Sequence, residues 1–184
     1  ALPTTLAPEV NSIGKEHVIT ETAWLALPAD KKSALLDLLA TDKSDVVIIS
    51  TPSGTEAQLN TALTEAAGTA IGVTKSPKLA PGTTSTLAKD FSVHADMLPA
   101  LLSVYAYDTQ GYQESGIRGA GKVVARGTDG ANTPTAVQWS LEGGKRVVTL
   151  LGYNTPGENH TYVRAGGLSG AAHYVTQVTS DVIP

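Results

Sequence analysis

A glycine-rich stretch that ends in lysine has the spacing of a phosphate-binding loop. Gly116-Ile-Arg-Gly-Ala-Gly121-Lys122 fits the pattern G-x-x-x-x-G-K. Such a loop surrounds phosphates with backbone N–H groups, and it needs a buried strand before it, a helix after it, and Ser or Thr after the lysine. Val123 follows Lys122 here, and the run Lys-Val-Val-Ala-Arg is typical of a strand. The segment is therefore predicted to be a glycine-rich strand connection and not a nucleotide site.

Residue types used in hydrolysis and metal binding are present but scattered. Gly167-Leu-Ser-Gly-Ala171 lacks the last glycine of the G-x-S-x-G turn that presents a nucleophilic serine. His94 and Asp96 share one face of a predicted strand, but no H-E-x-x-H motif accompanies them and the chain has no cysteine. A metal site would need distant side chains to converge, since the histidines are His17, His94, His160 and His173. We therefore predict no catalytic residues, no metal and no cofactor.

Tyrosine and arginine side chains in the second half of the chain could form a contact surface. Tyrosine offers a flat ring with a polar tip, and arginine is the charged residue most often kept at protein–protein contacts. Such rings also stack on sugars or bases. A protein partner is favoured over RNA because no block of basic residues surrounds them. The predicted interface residues are Tyr105, Tyr107, Tyr112, Arg118 and Arg126.

One strand–turn–helix unit, at residues 44–77, resembles part of a known enzyme family. The runs Asp45-Val-Val-Ile-Ile-Ser-Thr-Pro-Ser-Gly54 and Ile71-Gly-Val-Thr-Lys-Ser-Pro77 are similar to a stretch of the glucose-fructose oxidoreductase and inositol dehydrogenase family. In that family the unit lies along a nicotinamide cofactor and a Lys-Pro pair borders the active site. The resemblance implies an oxidoreductase-like fragment in which the matching positions are Thr51, Pro52, Lys75 and Pro77. Ser76 interrupts the Lys-Pro pair, and residues 1–44 contain no G-x-G-x-x-G motif for the pyrophosphate.

The first 72 residues show a mixed pattern of short strands and helices. Pro28-Ala-Asp30 is typical of a helix start, and leucines at near-helical spacing follow it. Thr55 is placed to cap a second helix, which Gly68 would end. The predicted elements are strands at Glu16–Glu21 and Asp45–Ser50, and helices from Pro28 to about Leu39 and from Glu56 to about Ala67.

Further along the chain the apolar residues recur with a period of two, which is typical of half-buried strands. A Thr-, Pro- and Gly-rich stretch at 73–87 precedes this part and is predicted to be a linker or exposed loop. Glu142-Gly-Gly144, between two alternating runs, is the strongest indication of a hairpin. Strands are predicted at 91–96, 102–107, 135–141, 145–151, 160–164 and 173–178.

These patterns predict a single α+β domain over residues 1–184. It would contain two N-terminal helices and a predominantly antiparallel C-terminal β-sheet, as a sandwich or a partly closed barrel. An all-β sandwich with helical insertions is the alternative. Possible sub-layers are 1–72 (mixed α/β) and 88–184 (antiparallel β), joined by a linker at about 73–87.

The composition limits the classes of function. Only 16% of the 184 residues are charged, compared with roughly 25% in an average soluble domain. The 13 basic and 17 acidic residues give a net charge of −4, which provides no basic surface for nucleic acid. The apolar runs are far shorter than the roughly 20 residues of a membrane-spanning helix.

A surface with few charges loses its water at low cost, and depletion of charge is typical of interface cores. We therefore expect a non-enzymatic, self-assembling structural subunit that binds copies of itself. The favoured form is a coat, decoration or tail protein of a phage or virus, located in the virion and in contact with other virion proteins. An alternative is an extracellular carbohydrate- or surface-binding β-module in which Tyr105, Tyr107 and Trp139 stack on the ligand.

Overall fold

The described part of the chain forms one eight-stranded mixed sheet accompanied by three α-helices. A computed structural model describes residues 11–13, 16–42, 45–50, 54–80, 84–87, 103–105, 110–127, 129–144 and 146–151. The helices are α1 (Glu21–Ala26), α2 (Ala29–Asp42) and α3 (Glu56–Ala67). The strands are β1 (Asn11–Ile13), β2 (Glu16–Thr20), β3 (Asp45–Ile49), β4 (Thr84–Leu87), β5 (Ser103–Tyr105), β6 (Lys122–Gly127), β7 (Pro134–Leu141) and β8 (Arg146–Leu151).

The strands lie side by side in the order β1-β2-β3-β8-β7-β6-β4-β5. β2, β3 and β8 are parallel, and the other neighbouring pairs are antiparallel. The α+β class is confirmed, but the predicted sandwich or partly closed barrel is wrong because the sheet is open and partly parallel. Apolar alternation identifies a strand without giving the direction of its neighbour. The helices α1 and α2 between β2 and β3 return the chain to the same edge of the sheet, which makes these two strands parallel.

Helix α1 follows β2 directly and was not predicted from the sequence. The Thr20 side chain caps this helix, because its Oγ1 accepts a hydrogen bond from the Ala23 N–H at 3.1 Å. Glu21 is therefore the first residue of a helix and not the last residue of a strand. Threonine favours both strands and helix N-caps, so the local sequence does not separate the two.

Helices α2 and α3 confirm the two predicted helices. In α3, Thr55 Oγ1 accepts a hydrogen bond from the Gln58 N–H at 3.1 Å, and Gln58 Oε1 accepts one from the Thr55 N–H at 3.0 Å. This reciprocal capping box satisfies two backbone donors that would otherwise lack a partner. Gly68 ends the helix with φ 71°, a left-handed conformation that glycine adopts without a steric penalty. Helix α2 begins directly after Pro28 and extends to Asp42.

The β7–β8 hairpin forms as predicted, with Leu141 opposite Arg146 and the turn at Glu142–Gly144. Lys122 begins β6, so the glycine-rich stretch before it leads into a strand, as expected. Part of the predicted linker at 73–87 is instead paired: β4 lies at Thr84–Leu87, and Lys75 forms an isolated bridge. The predicted strand at 102–107 is observed as β5 at Ser103–Tyr105. The strands predicted at 91–96, 160–164 and 173–178 lie outside the described residues.

The main hydrophobic core lies between one face of the sheet and the helices. Trp139 of β7 is fully buried, and its Nε1–H donates to the Arg118 carbonyl at 2.8 Å, so the indole is both packed and hydrogen-bonded. Each large side chain buried in this way stabilises the fold by about 1.5–3 kcal/mol. Other fully buried members of this core are Ile19, Trp24, Leu35, Ile48, Leu59, Leu63, Val137, Val148 and Leu150.

Candidate functional site

Two polar residues lie next to each other at the carboxyl ends of the parallel strands β2 and β3. Thr20 and Ile49 are paired across these strands, so Glu21 and Ser50 follow at the same edge of the sheet. Both are almost completely buried, with 1% of each residue exposed. Ligands of open α/β sheets bind outside the carboxyl ends of the strands. A buried carboxyl group and a buried hydroxyl group at this edge are therefore the starting point of a candidate site.

A second part of this region comes from the pairing of residues 72–76 with 111–118. Gly72 lies opposite Arg118 and Lys75 lies opposite Tyr112, in two isolated antiparallel bridges. The Gln113 N–H donates to the Thr74 carbonyl at 2.9 Å, which adds a backbone hydrogen bond between the same two segments. Side chains opposite each other in an antiparallel pair lie on the same face. Lys75 and Tyr112 therefore extend to the same side.

Asn60 of α3 holds the segment that carries Lys75. Its side-chain nitrogen donates to the Val73 carbonyl at 3.0 Å, and its side-chain oxygen accepts from the Val73 N–H at 2.9 Å. The Lys75 N–H donates to Glu56 Oε1 at 2.7 Å. The backbone on both sides of Thr74 is thus attached to the same helix, so Lys75 starts from a fixed position.

The amino group of Lys75 lies in a half-buried environment. Its Nζ donates to the Gly54 carbonyl at 2.7 Å. Burial lowers the pKa of this ammonium group, and the carboxylates of Glu21 and Glu56 partly oppose the shift by favouring the charged form. Lys78 adds a smaller lowering by charge repulsion. Lys75 therefore yields its proton more readily than an exposed lysine.

Tyr112 completes the group. It is fully buried, and its hydroxyl has no partner in hydrogen-bonding geometry. Burial raises the pKa of this phenol far above its ordinary value; the nearby Ser50 side chain opposes this rise without meeting hydrogen-bonding geometry, and Glu21 adds a smaller rise. The hydroxyl is consequently protonated at every physiological pH and available as a donor. We call Glu21, Ser50, Lys75 and Tyr112 the polar cluster.

Among the predicted interface residues, the structure describes Tyr112, Arg118, Arg126 and the backbone of Tyr105. Tyr112 is buried in the polar cluster and so is not part of an exposed face of the single chain. Tyr105 lies in β5, where its backbone pairs with Thr84. Tyr107 lies outside the described residues. Trp139, the third stacking residue considered for a carbohydrate, is in the core.

The two predicted interface arginines are both engaged with this chain. Arg126 forms two hydrogen bonds with the Glu114 carboxylate, at 2.9 and 2.8 Å, and a third with the Asn132 carbonyl at 3.2 Å. The guanidinium group holds the pKa of the Glu114 carboxyl below its ordinary value. Arg118 donates to the carbonyls of Gly116 and Val73, at 3.1 and 3.4 Å. Both guanidinium groups are thereby fixed, and each remains partly exposed to solvent.

A patch of small uncharged residues is exposed where two turns meet. Thr69 and Ala70 follow α3, and Gly119 and Ala120 precede β6. The turns touch, because a Cβ atom on Gly119 would lie only 3.2 Å from the Ala70 carbonyl oxygen. Gly119 has φ 83°, so the close approach and the conformation both require glycine. We call these four residues the neutral turn surface.

The unit that resembles the oxidoreductase family is present as β3 followed by α3. The structure brings Lys75 to the start of α3, at the Gly54 carbonyl, and leaves Pro77 exposed. Thr51 and Pro52 lie outside the described residues. Sequence reasoning did not single out Glu21 or Ser50. The available signal was their position, since each is the last residue of a predicted strand.

Metal binding and membrane insertion are two further properties on which the described residues bear. No group of three or more His, Cys, Asp or Glu side chains there is arranged to hold a metal ion. No helix in the described part of the chain is long and apolar enough to cross a membrane.

No protein-family model matches the chain, and no curated protein is significantly similar to it.

Proposed function

We propose that the protein is a self-assembling structural subunit that binds copies of itself, as a coat, decoration or tail component of a virion. The observation that carries this proposal is the low charge of the chain, 16%, together with the exposed neutral turn surface. Contacts between small uncharged groups form without removing water from ions, which is the largest cost of burying a polar surface. Other virion proteins would bind through the same kind of surface.

The neutral turn surface suits such a contact because its backbone is already held. Gly68, Gly119 and Ala120 have left-handed backbone angles, and Arg118 is bonded to the carbonyls of Gly116 and Val73. A surface that is fixed before binding loses little conformational entropy on binding. A stable interface buries about 1,200–2,000 Å² in total, so neighbouring residues must contribute as well. Repetition of one modest contact by symmetry would then stabilise a large assembly.

Light scattering on a sizing column, followed by negative-stain microscopy of the same peak, tests the proposal. Rings, tubes or closed particles support it, and genes for virion assembly beside its gene would support the virion role. A single species near 18.9 kDa at high concentration would contradict it. Ala70→Glu should break the assembly by placing a charge in the neutral turn surface. Ala131→Glu is the matched control, because Ala131 is an exposed alanine in the turn at the other end of β6.

A further inference from the structure

We infer that the polar cluster is a covalent binding site for a small, neutral carbonyl compound, which the Lys75 amine captures as an imine. The inference is independent of the proposed structural role. It depends on the arrangement of Lys75 against Tyr112, Glu21 and Ser50, which that role does not use.

The first support is the placement of the amine. The backbone N–H of Lys75 is held by Glu56, and Val73, two residues earlier, is held to α3 by Asn60. Its Nζ donates to the Gly54 carbonyl at 2.7 Å, which fixes the end of an otherwise flexible side chain. A nucleophile positioned in advance reacts faster because the entropy of orientation is already lost.

The second support is the set of groups around the amine. A nucleophilic lysine must be neutral, and removal from water favours the neutral form. Half-burial of Lys75 has this effect and lowers the pKa of its ammonium group. Tyr112, opposite it in the bridge, keeps its proton and has no well-formed hydrogen bond, so it can donate to the oxygen of a bound carbonyl. The Glu21 carboxylate acts electrostatically on both groups, and in the proposed reaction it would carry a proton between them.

The reaction is balanced without an oxidant or reductant. The Lys75 nitrogen attacks the carbonyl carbon, and one N–H proton moves to the oxygen to give a carbinolamine. A second proton converts that oxygen to water, which leaves as the C=N bond forms. The products are an imine and one water molecule, and hydrolysis reverses the step.

The charges near Lys75 indicate which carbonyl compounds would be accepted. The carboxylates of Glu21 and Glu56 each have a stronger electrostatic effect on this amine than the ammonium group of Lys78 has. An anionic 2-oxo acid would be repelled by them, so a neutral aldehyde is the better ligand. Glu21, Ser50 and Tyr112 are almost completely buried, so a small aldehyde would displace the fewest surrounding side chains.

Reductive trapping tests the inference. The full chain is incubated at pH 7 with propanal and cyanoborohydride, and the rate of modification of each lysine is read by peptide mass spectrometry. Lys75 should be modified several-fold faster than Lys78, which lies three residues away and is exposed. Equal rates at Lys75 and Lys78 would overturn the inference. Glyoxylate, tested in parallel, should give no preference for Lys75; an equal preference with glyoxylate would overturn the choice of a neutral ligand.

Two variants test whether the polar cluster, and not solvent exposure alone, makes Lys75 reactive. Tyr112→Phe and Glu21→Gln should each reduce the preference for Lys75 over Lys78 while far-ultraviolet circular dichroism stays unchanged. Tyr112→Phe retains the ring, so it remains informative if Glu21→Gln does not fold. An unchanged preference in a folded variant would show that Lys75 reacts without the cluster, and would overturn its role. The trapping rates do not depend on whether the protein assembles, so a monomer that traps propanal would contradict the proposed function alone.

Discussion

Lys75 and Tyr112 lie opposite each other in a single antiparallel bridge between two segments that lie outside the described strands of the sheet. Their side chains consequently share one face, and both are influenced by Glu21, which directly follows β2. The bridge is attached to the rest of the protein on both sides, because the Tyr112 N–H donates to the Pro134 carbonyl at 2.9 Å and Asn60 binds Val73. The polar cluster is therefore positioned by loops held to a helix and a strand.

Asn60→Ala should destabilise the protein more than its surface position suggests. The substitution leaves the part-buried Val73 N–H without its side-chain acceptor, and it leaves the Val73 carbonyl with the longer bond from Arg118, at 3.4 Å. Loss of such bonds costs about 1–3 kcal/mol in free energy of unfolding. Urea denaturation measures this difference. Thr61→Ala is the control, since Thr61 is the next residue of α3 and its exposed hydroxyl only bonds back to the Ala57 carbonyl. Equal urea midpoints for the two variants would show that the hydrogen bonds between Asn60 and Val73 do not stabilise the protein.

Thr55→Ala should destabilise α3 by about 1 kcal/mol, the usual cost of losing an N-cap side chain. The Gln58 N–H would lose its acceptor at 3.1 Å, and the reciprocal bond from the Thr55 N–H would have to hold alone. Thr55→Ser keeps the hydroxyl and should stay within a few tenths of a kcal/mol of the parent protein. Thermal unfolding of the three proteins provides the comparison. A serine variant as unstable as the alanine variant would show that the methyl group, not the cap, is responsible.

This capping box also explains why α3 could be predicted with correct bounds. Its start, its apolar spacing and its terminating Gly68 are all encoded within the segment itself. Helix α1 could not be predicted because its cap, Thr20, ends a strand in a run that reads as β throughout. Its position is decided by Trp24, which is buried in a core built from distant strands.

The candidate site was less predictable for the same reason. Glu21 and Ser50 become neighbours only because β2 and β3 are parallel and in register, and the sequence gives no information on that pairing. Tyr112 was expected at an interface from its residue type, whereas its burial depends on the bridge to Lys75. Local patterns thus predict elements, and the polar cluster arises from their long-range pairing.

Arg126→Gln should raise the pKa of the Glu114 carboxyl toward its ordinary value, as measured by NMR titration. The guanidinium group now holds that pKa low through two hydrogen bonds. Because the folded pKa lies below the unfolded one, the stabilisation is present at neutral pH and is lost as pH falls through the folded pKa. The pair is largely exposed, so its loss at pH 7 should cost less than about 1 kcal/mol and even less in high salt. An unchanged carboxyl pKa in the variant would contradict the pairing.

Tyr112→Phe should stabilise the protein, by about 1 kcal/mol at neutral pH, because it removes a buried hydroxyl without a well-formed hydrogen bond. The advantage should grow in alkali. The folded phenol keeps its proton far above pH 10, while the unfolded one ionises near pH 10. The unfolded parent protein then binds fewer protons than the folded one, so the stability of the parent falls as pH rises, by up to about 1.4 kcal/mol per pH unit. The Tyr112→Phe variant has no phenol at this position, so its stability does not fall with pH for this reason. Urea denaturation of both proteins at pH 8 and pH 11 gives the difference, and a gap that is the same at both pH values would contradict the burial of the Tyr112 hydroxyl.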